Sequence, residues 1–60
     1  MTPILPLADL PNTAGYHFVG VTHAGDLVDC VVVRDERTGL HRVDGEANYE
    51  DLKGWMRADT

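Results

Sequence analysis

The stretch Leu27–Arg34, LVDCVVVR, constrains this chain more than any other, because it is apolar on both parities. Leu27, Val31 and Val33 alternate with Val28, Cys30 and Val32. A strand with one wet face alternates apolar and polar residues. An apolar run on both parities therefore predicts a central strand covered on both faces. Asp29 stands out within it, a carboxylate in a strand expected to be buried, where it would need a partner.

Residues 16–23, YHFVGVTH, are β-branched and aromatic and lie between Gly15 and Ala24-Gly25-Asp26. They predict a strand hairpinned to Leu27–Arg34. Two loops are compatible with the pattern. A two-residue Gly25-Asp26 loop sets Val19 and Val21 with Val28, Cys30 and Val32. A three-residue His23-Ala24-Gly25 loop, with Gly25 left-handed, sets them with Leu27, Val31 and Val33. The second is favoured, because it stacks Tyr16 and Phe18 with Val28, Cys30 and Val32. After Arg34, the run Asp35-Glu36-Arg37-Thr38-Gly39 ends in a glycine suited to a three-residue hairpin. Residues 40–43 then return as a third strand, with Val43 beside Val33 and Arg42 beside Arg34.

Residues 48–58, NYEDLKGWMRA, carry the signals of a helix. Asn48 can cap it, with Asp51 as the capping-box partner, and Glu50 and Asp51 precede Lys53 and Arg57 as the macrodipole favours. Tyr49, Leu52, Trp55 and Met56 fall within about 120° at helical spacing. Their stripe would pack on the sheet. Before all of this, residues 1–12 hold the chain's three prolines together with Ile4, Leu5, Leu7 and Leu10. Proline removes ladder donors, so an extended arm is expected, lying across an apolar surface of its own chain or a neighbour's. The expected fold is α+β: a three-stranded antiparallel meander followed by one C-terminal helix, β-β-β-α, over residues 16–60, with a Pro-rich arm over residues 1–15.

Sixty residues make one small domain, whose core rarely supplies more than ~3–5 kcal/mol. A single cysteine leaves no disulfide within the monomer and suits a reducing cytoplasm. Residues 1–10 lack a basic n-region, so no signal peptide is expected, and no apolar run approaches the ~18 residues of a membrane span. A face that the helix leaves uncovered calls for the arm, a protein partner or a homo-oligomer.

Catalytic residue types are present as His17, His23, His41, Cys30, Asp29 and Tyr49. An activated cysteine needs an electropositive, partly exposed setting, and Cys30 is flanked by valines near an acid, so no enzyme is expected. His17 and His23 lie six residues apart, roughly 20 Å at strand rise, and cannot share one ion. His23 with Asp26 is the nearest approach to a metal site. No catalytic residue, metal or cofactor is assigned.

The meander-plus-helix order over residues 16–57 and the local sequence VVVRDERTG resemble the AP2-type and integrase arm-binding DNA modules. That resemblance implies a DNA-binding three-stranded sheet, with Arg34 and Arg42 as the available nucleic-acid contacts. Those families use arginines and tryptophans along the sheet, and here the one tryptophan lies outside the three strands. The net charge of -5 also opposes binding to phosphates. Asp44, Glu46, Glu50 and Asp51 crowd together with no base among them. The leading expectation is therefore a small acidic protein-binding domain, an inhibitor or adaptor that occupies a basic, nucleic-acid-binding surface of a larger partner. Asp44, Glu46, Glu50, Asp51, Tyr16 and Phe18 are its expected contacts. A DNA-binding module is the alternative, and a structural subunit of an assembly a third.

Overall fold

Residues 3–58, those described by the computed structural model, form one antiparallel sheet. Its strands are β1 (His17–Thr22), β2 (Leu27–Arg34), β3 (His41–Gly45) and β4 (Leu52–Arg57), in the spatial order β3-β2-β1-β4. Residues 1, 2, 59 and 60, at the ends of the expected arm and domain, lie outside the described residues. Among the described residues the only helical turns are two 3-10 turns, Leu7–Asp9 and Tyr49–Asp51. The expected β-β-β-α order is thus corrected to four strands with no C-terminal helix.

The start signal in that segment was real, but its continuation is different. Asn48 N–H donates to the Asp51 carboxylate at 3.1 Å, and Asp51 N–H donates to Asn48 O at 2.9 Å. The turn they close ends at once, and the chain extends to pair with β1, matching Val19 to Met56 and Gly20 to Trp55. A helix of about ten residues is marginal by itself and costs ~1 kcal/mol more with Gly54 inside it. A strand here satisfies the open edge of β1 along its length. An irregularity in the β1–β4 ladder between Val21 and Thr22 lets Leu52 and Trp55, three residues apart, enter the same core. Tyr49, expected in that core, is 52% exposed.

The β1–β2 hairpin has the three-residue loop. Thr22 N–H donates to Asp26 O at 2.9 Å, and Gly25 takes φ 92°, a conformation that side chains resist. Val19 therefore opposes Asp29, and Phe18 opposes Cys30. The β2–β3 hairpin differs from expectation by one residue. Asp35 N–H donates to Leu40 O at 2.8 Å, so four residues form the loop, with Val43 opposite Val32 and Arg42 opposite Val33. A slip of one residue exchanges the two faces. Val43 is thereby turned into the core, where it is 5% exposed.

The core face gathers Phe18, Cys30, Val32, Val43, Leu52 and Trp55. Trp55 meets the rings of Tyr16 and Phe18 edge-on, with centroids 6.1 Å away in each case, a favoured aromatic geometry. The arm closes this face. Leu5 forms a bridge with Trp55, donating to its O at 2.7 Å and accepting from its N–H at 3.1 Å. The indole N–H donates to Pro6 O at 2.9 Å. Leu5, Leu7 and Leu10 pack on the cluster. A β-carbon on Gly54 would lie 2.5 Å from Ile4 Cγ2 and 3.0 Å from Leu5 O, so only glycine admits the arm this close.

Removing residues 1–10 should therefore uncover Trp55 and cost on the order of 3 kcal/mol, comparable to the whole stability of a domain this small. The expected result is a large fall in the urea midpoint with a red shift of Trp55 emission. An unchanged midpoint and spectrum would contradict the arm's place in the core.

Candidate functional site: the open face of the sheet

Over the second face of the sheet, among the described residues, only Ile4 of the arm comes in, against Gly54 opposite Val21. Strand alternation and the observed registers place Val19 and Val21 of β1, Leu27, Asp29, Val31 and Val33 of β2, Arg42 and Asp44 of β3, and Met56 of β4 there. Val21, opposite Gly54 where Ile4 comes in, is buried, Val19, Val31, Val33 and Met56 are half-buried, and Leu27 is 62% exposed. The double-sided apolar character of β2 thus has two different outcomes. One face meets the arm and the aromatic cluster, and the other meets solvent.

Asp29 lies on this open face and is exposed, so the partner expected for a buried carboxylate is not required. It sits opposite Val19 and two residues from both Leu27 and Val31. Its backbone is held at the end of the β2–β3 ladder: Asp29 N–H donates to a Glu46 carboxylate oxygen at 3.3 Å, and Glu46 N–H donates to Asp29 O at 3.1 Å. The one ion pair among the described residues joins Arg42 to Asp44 at 3.8 Å, leaving the Asp29 carboxylate outside it. Asp44 opposes Val31, so two carboxylates flank the same valine.

The other expected contacts are distributed differently from the sequence reading. Phe18 is 1% exposed and Tyr16 is half-buried against the core cluster, which removes Phe18 as a partner contact. Asp51 closes its turn, and the backbone carbonyl of Glu50 lies 3.1 Å from His23 Nε2. Arg34 and Arg42 are brought to opposite faces by the one-residue shift, and Arg34 Nε–H donates to Gly39 O at 3.4 Å. The expected placement of Arg42 beside Arg34 is not formed, and the likeness to DNA-binding meanders loses its helix as well.

A shallow groove of about 420 Å³ runs between the arm and β3, lined by residues that include Leu7, Leu10, Val43 and Tyr49. Its lining also includes His41 and Arg42. Among the described residues, no three His, Cys, Asp or Glu side chains are grouped so as to hold a metal ion. Among the described residues no helix is long and apolar enough to cross a membrane. Comparison with protein-family models, with curated proteins and with solved structures finds no match to this chain.

Cys30 is buried at 3% exposure, and desolvation pushes its thiol above the usual 9.0, against the opposing pull of backbone hydrogen bonds at Gly20 and Ala47. The nearby carboxylates of Glu46 and Asp29 push it the same way as burial. A neutral, enclosed thiol is a poor nucleophile. Because its folded pKa is raised, the fold favours the protonated form. That stabilisation is complete below about pH 9 and is lost as pH rises through the folded value. The stability difference between wild type and Cys30→Ala should therefore be constant through neutral pH and shrink at higher pH, read as urea midpoints. A difference that stays constant into strong alkali would contradict the buried neutral thiol.

Proposed function

We propose that this chain is a small non-catalytic protein-binding domain that docks through the open face of its sheet onto a basic surface of a larger partner, as an inhibitor or adaptor. The observation that carries this reading is Asp29, an exposed carboxylate without an ion pair set among Val19, Val31 and Leu27. One exposed and two half-buried aliphatics around a charge offer a partner's lysine or arginine both a counter-ion and apolar contact that excludes water. Asp44 and Glu46 extend the negative character to one side, and the net charge of -5 steers a basic surface toward the whole molecule. A nucleic-acid-binding surface is one such surface, since its lysines and arginines are spaced to receive phosphates.

The sequence pointed to the carboxylates at 44–51 and to Tyr16 and Phe18. The fold supports a site centred on Asp29 and the valines instead. Glu46 remains beside it through its contact with Asp29, while Glu50 and Asp51 belong to the turn before β4.

The test is retention of a partner by the full chain from its native cells, followed by binding kinetics with the purified partner. Asp29→Lys should leave the melting curve close to wild type and slow association or weaken affinity about tenfold or more, about 1.4 kcal/mol. The wild-type affinity should fall as salt rises. Equal binding by wild type and Asp29→Lys would overturn the site. Tight binding of the chain to duplex DNA at ~50 mM salt, lost on Arg42→Ala, would overturn the protein-binding reading in favour of the DNA-binding one.

A further inference from the structure

The two edges of this sheet are finished in different ways. On the β4 edge, the backbone of Trp55 is paired by Leu5. The β3 edge has no such cover among the described residues: β3 is terminal in the strand order, and no isolated bridge touches it. Which of its groups point outward follows from the ladder. Leu40 O accepts from Asp35 N–H and Glu46 N–H donates to Asp29 O, so the even-numbered residues of this segment face β2. Alternation then turns the N–H and C=O of His41, Val43 and Gly45 away from the sheet.

We infer that this edge pairs with the same edge of a second copy, antiparallel and centred on Val43, to give a continuous eight-stranded sheet. An isologous contact places each strand against itself about a two-fold axis. Centred on Val43, the two Val43 residues exchange backbone hydrogen bonds, and His41 of each copy opposes Gly45 of the other. Arg42 of each copy then opposes Asp44 of the other. That position is a non-hydrogen-bonded pair, in which facing side chains come closest. Both side chains are more than half exposed and already lie within 3.8 Å of one another in the single chain, so the pairing needs no refolding.

Register is decided by charge. Sliding the strands by two residues in one direction sets Arg42 against Arg42, and in the other sets Asp44 against Asp44, both unfavourable. Only the Val43-centred register places opposite charges face to face at both flanking positions. The two-fold axis is perpendicular to the sheet, so the open valine faces of both copies lie on the same side. This pairing uses the backbone of the edge, with the side chains of Arg42 and Asp44 meeting at the border of the open face, and needs no occupant on the Asp29 site.

Sedimentation at ~50 mM salt tests it. Wild type should show a concentration-dependent monomer–dimer equilibrium. Arg42→Asp and Asp44→Arg should each weaken the dimer at least about tenfold, since each replaces two attractive pairs with two repulsive ones. Mixed one to one, these two variants should associate with each other, because every Asp then faces an Arg. A synthetic chain carrying N-methyl Val43, which removes the central edge donor and keeps the side chain, should be monomeric. A wild type that stays monomeric up to ~1 mM, a dimer indifferent to both charge reversals, or a mixture no tighter than its components would overturn the inference.

Discussion

The meeting of Trp55 with the arm holds this small fold together. The indole is enclosed by Tyr16 and Phe18 from the sheet, its N–H is satisfied by Pro6 O, and its backbone is paired by Leu5. Each of these contacts depends on the others. Without the arm, an indole N–H and a large apolar ring would face water. Without the strand, the arm would have no backbone to pair with. With one cysteine the chain has no internal disulfide, and among the described residues no layer of helices supplies this closure. Gly54 sits where the two segments come closest, and the lack of a side chain there makes the approach possible.

Closing one face with the arm leaves the other for recognition. The open face keeps Val19, Val31 and Val33 half-buried and sets Asp29 among them, while the β3 edge presents its backbone groups with Arg42 and Asp44 on either side of Val43. The edge borders the face, and the side chains of Arg42 and Asp44 belong to both. A dimer joined through β3 would carry two open faces on one side of a single sheet, and a partner surface with repeated basic residues could then engage both.

Much of the sheet was legible in the sequence, because parity and turn chemistry act locally. The strand at Leu27–Arg34, its hairpin to His17–Thr22 and the left-handed Gly25 follow from residues close together in the chain. The second hairpin was found but displaced, since Gly39 marks the end of a loop without fixing its length. That displacement moved Val43 inward and separated Arg34 from Arg42. The last segment departs from its local pattern for a different reason. Tyr49, Leu52, Trp55 and Met56 fit a helical stripe, and Asn48 and Asp51 do close a turn. What decides for a strand is nonlocal: the vacant edge of β1, and the arm 49 residues away from Trp55 along the chain. The interior Gly54 was the one local signal against the helix. The site shifted for the same cause, because assigning a helix to cover one face of the sheet obscured which face the chain itself leaves open.

The pairing of Leu52–Arg57 with β1 beneath the arm is the claim on which the rest stands, and solution NMR of the full chain tests it most directly. The account predicts cross-strand nuclear Overhauser contacts between Val19 and Met56 and between Gly20 and Trp55. It also predicts contacts from the Trp55 indole to Pro6, with slow hydrogen exchange at the Trp55 amide and indole N–H. Sequential helical contacts through residues 49–57, with rapid exchange of the indole N–H and no contact to Pro6, would contradict it.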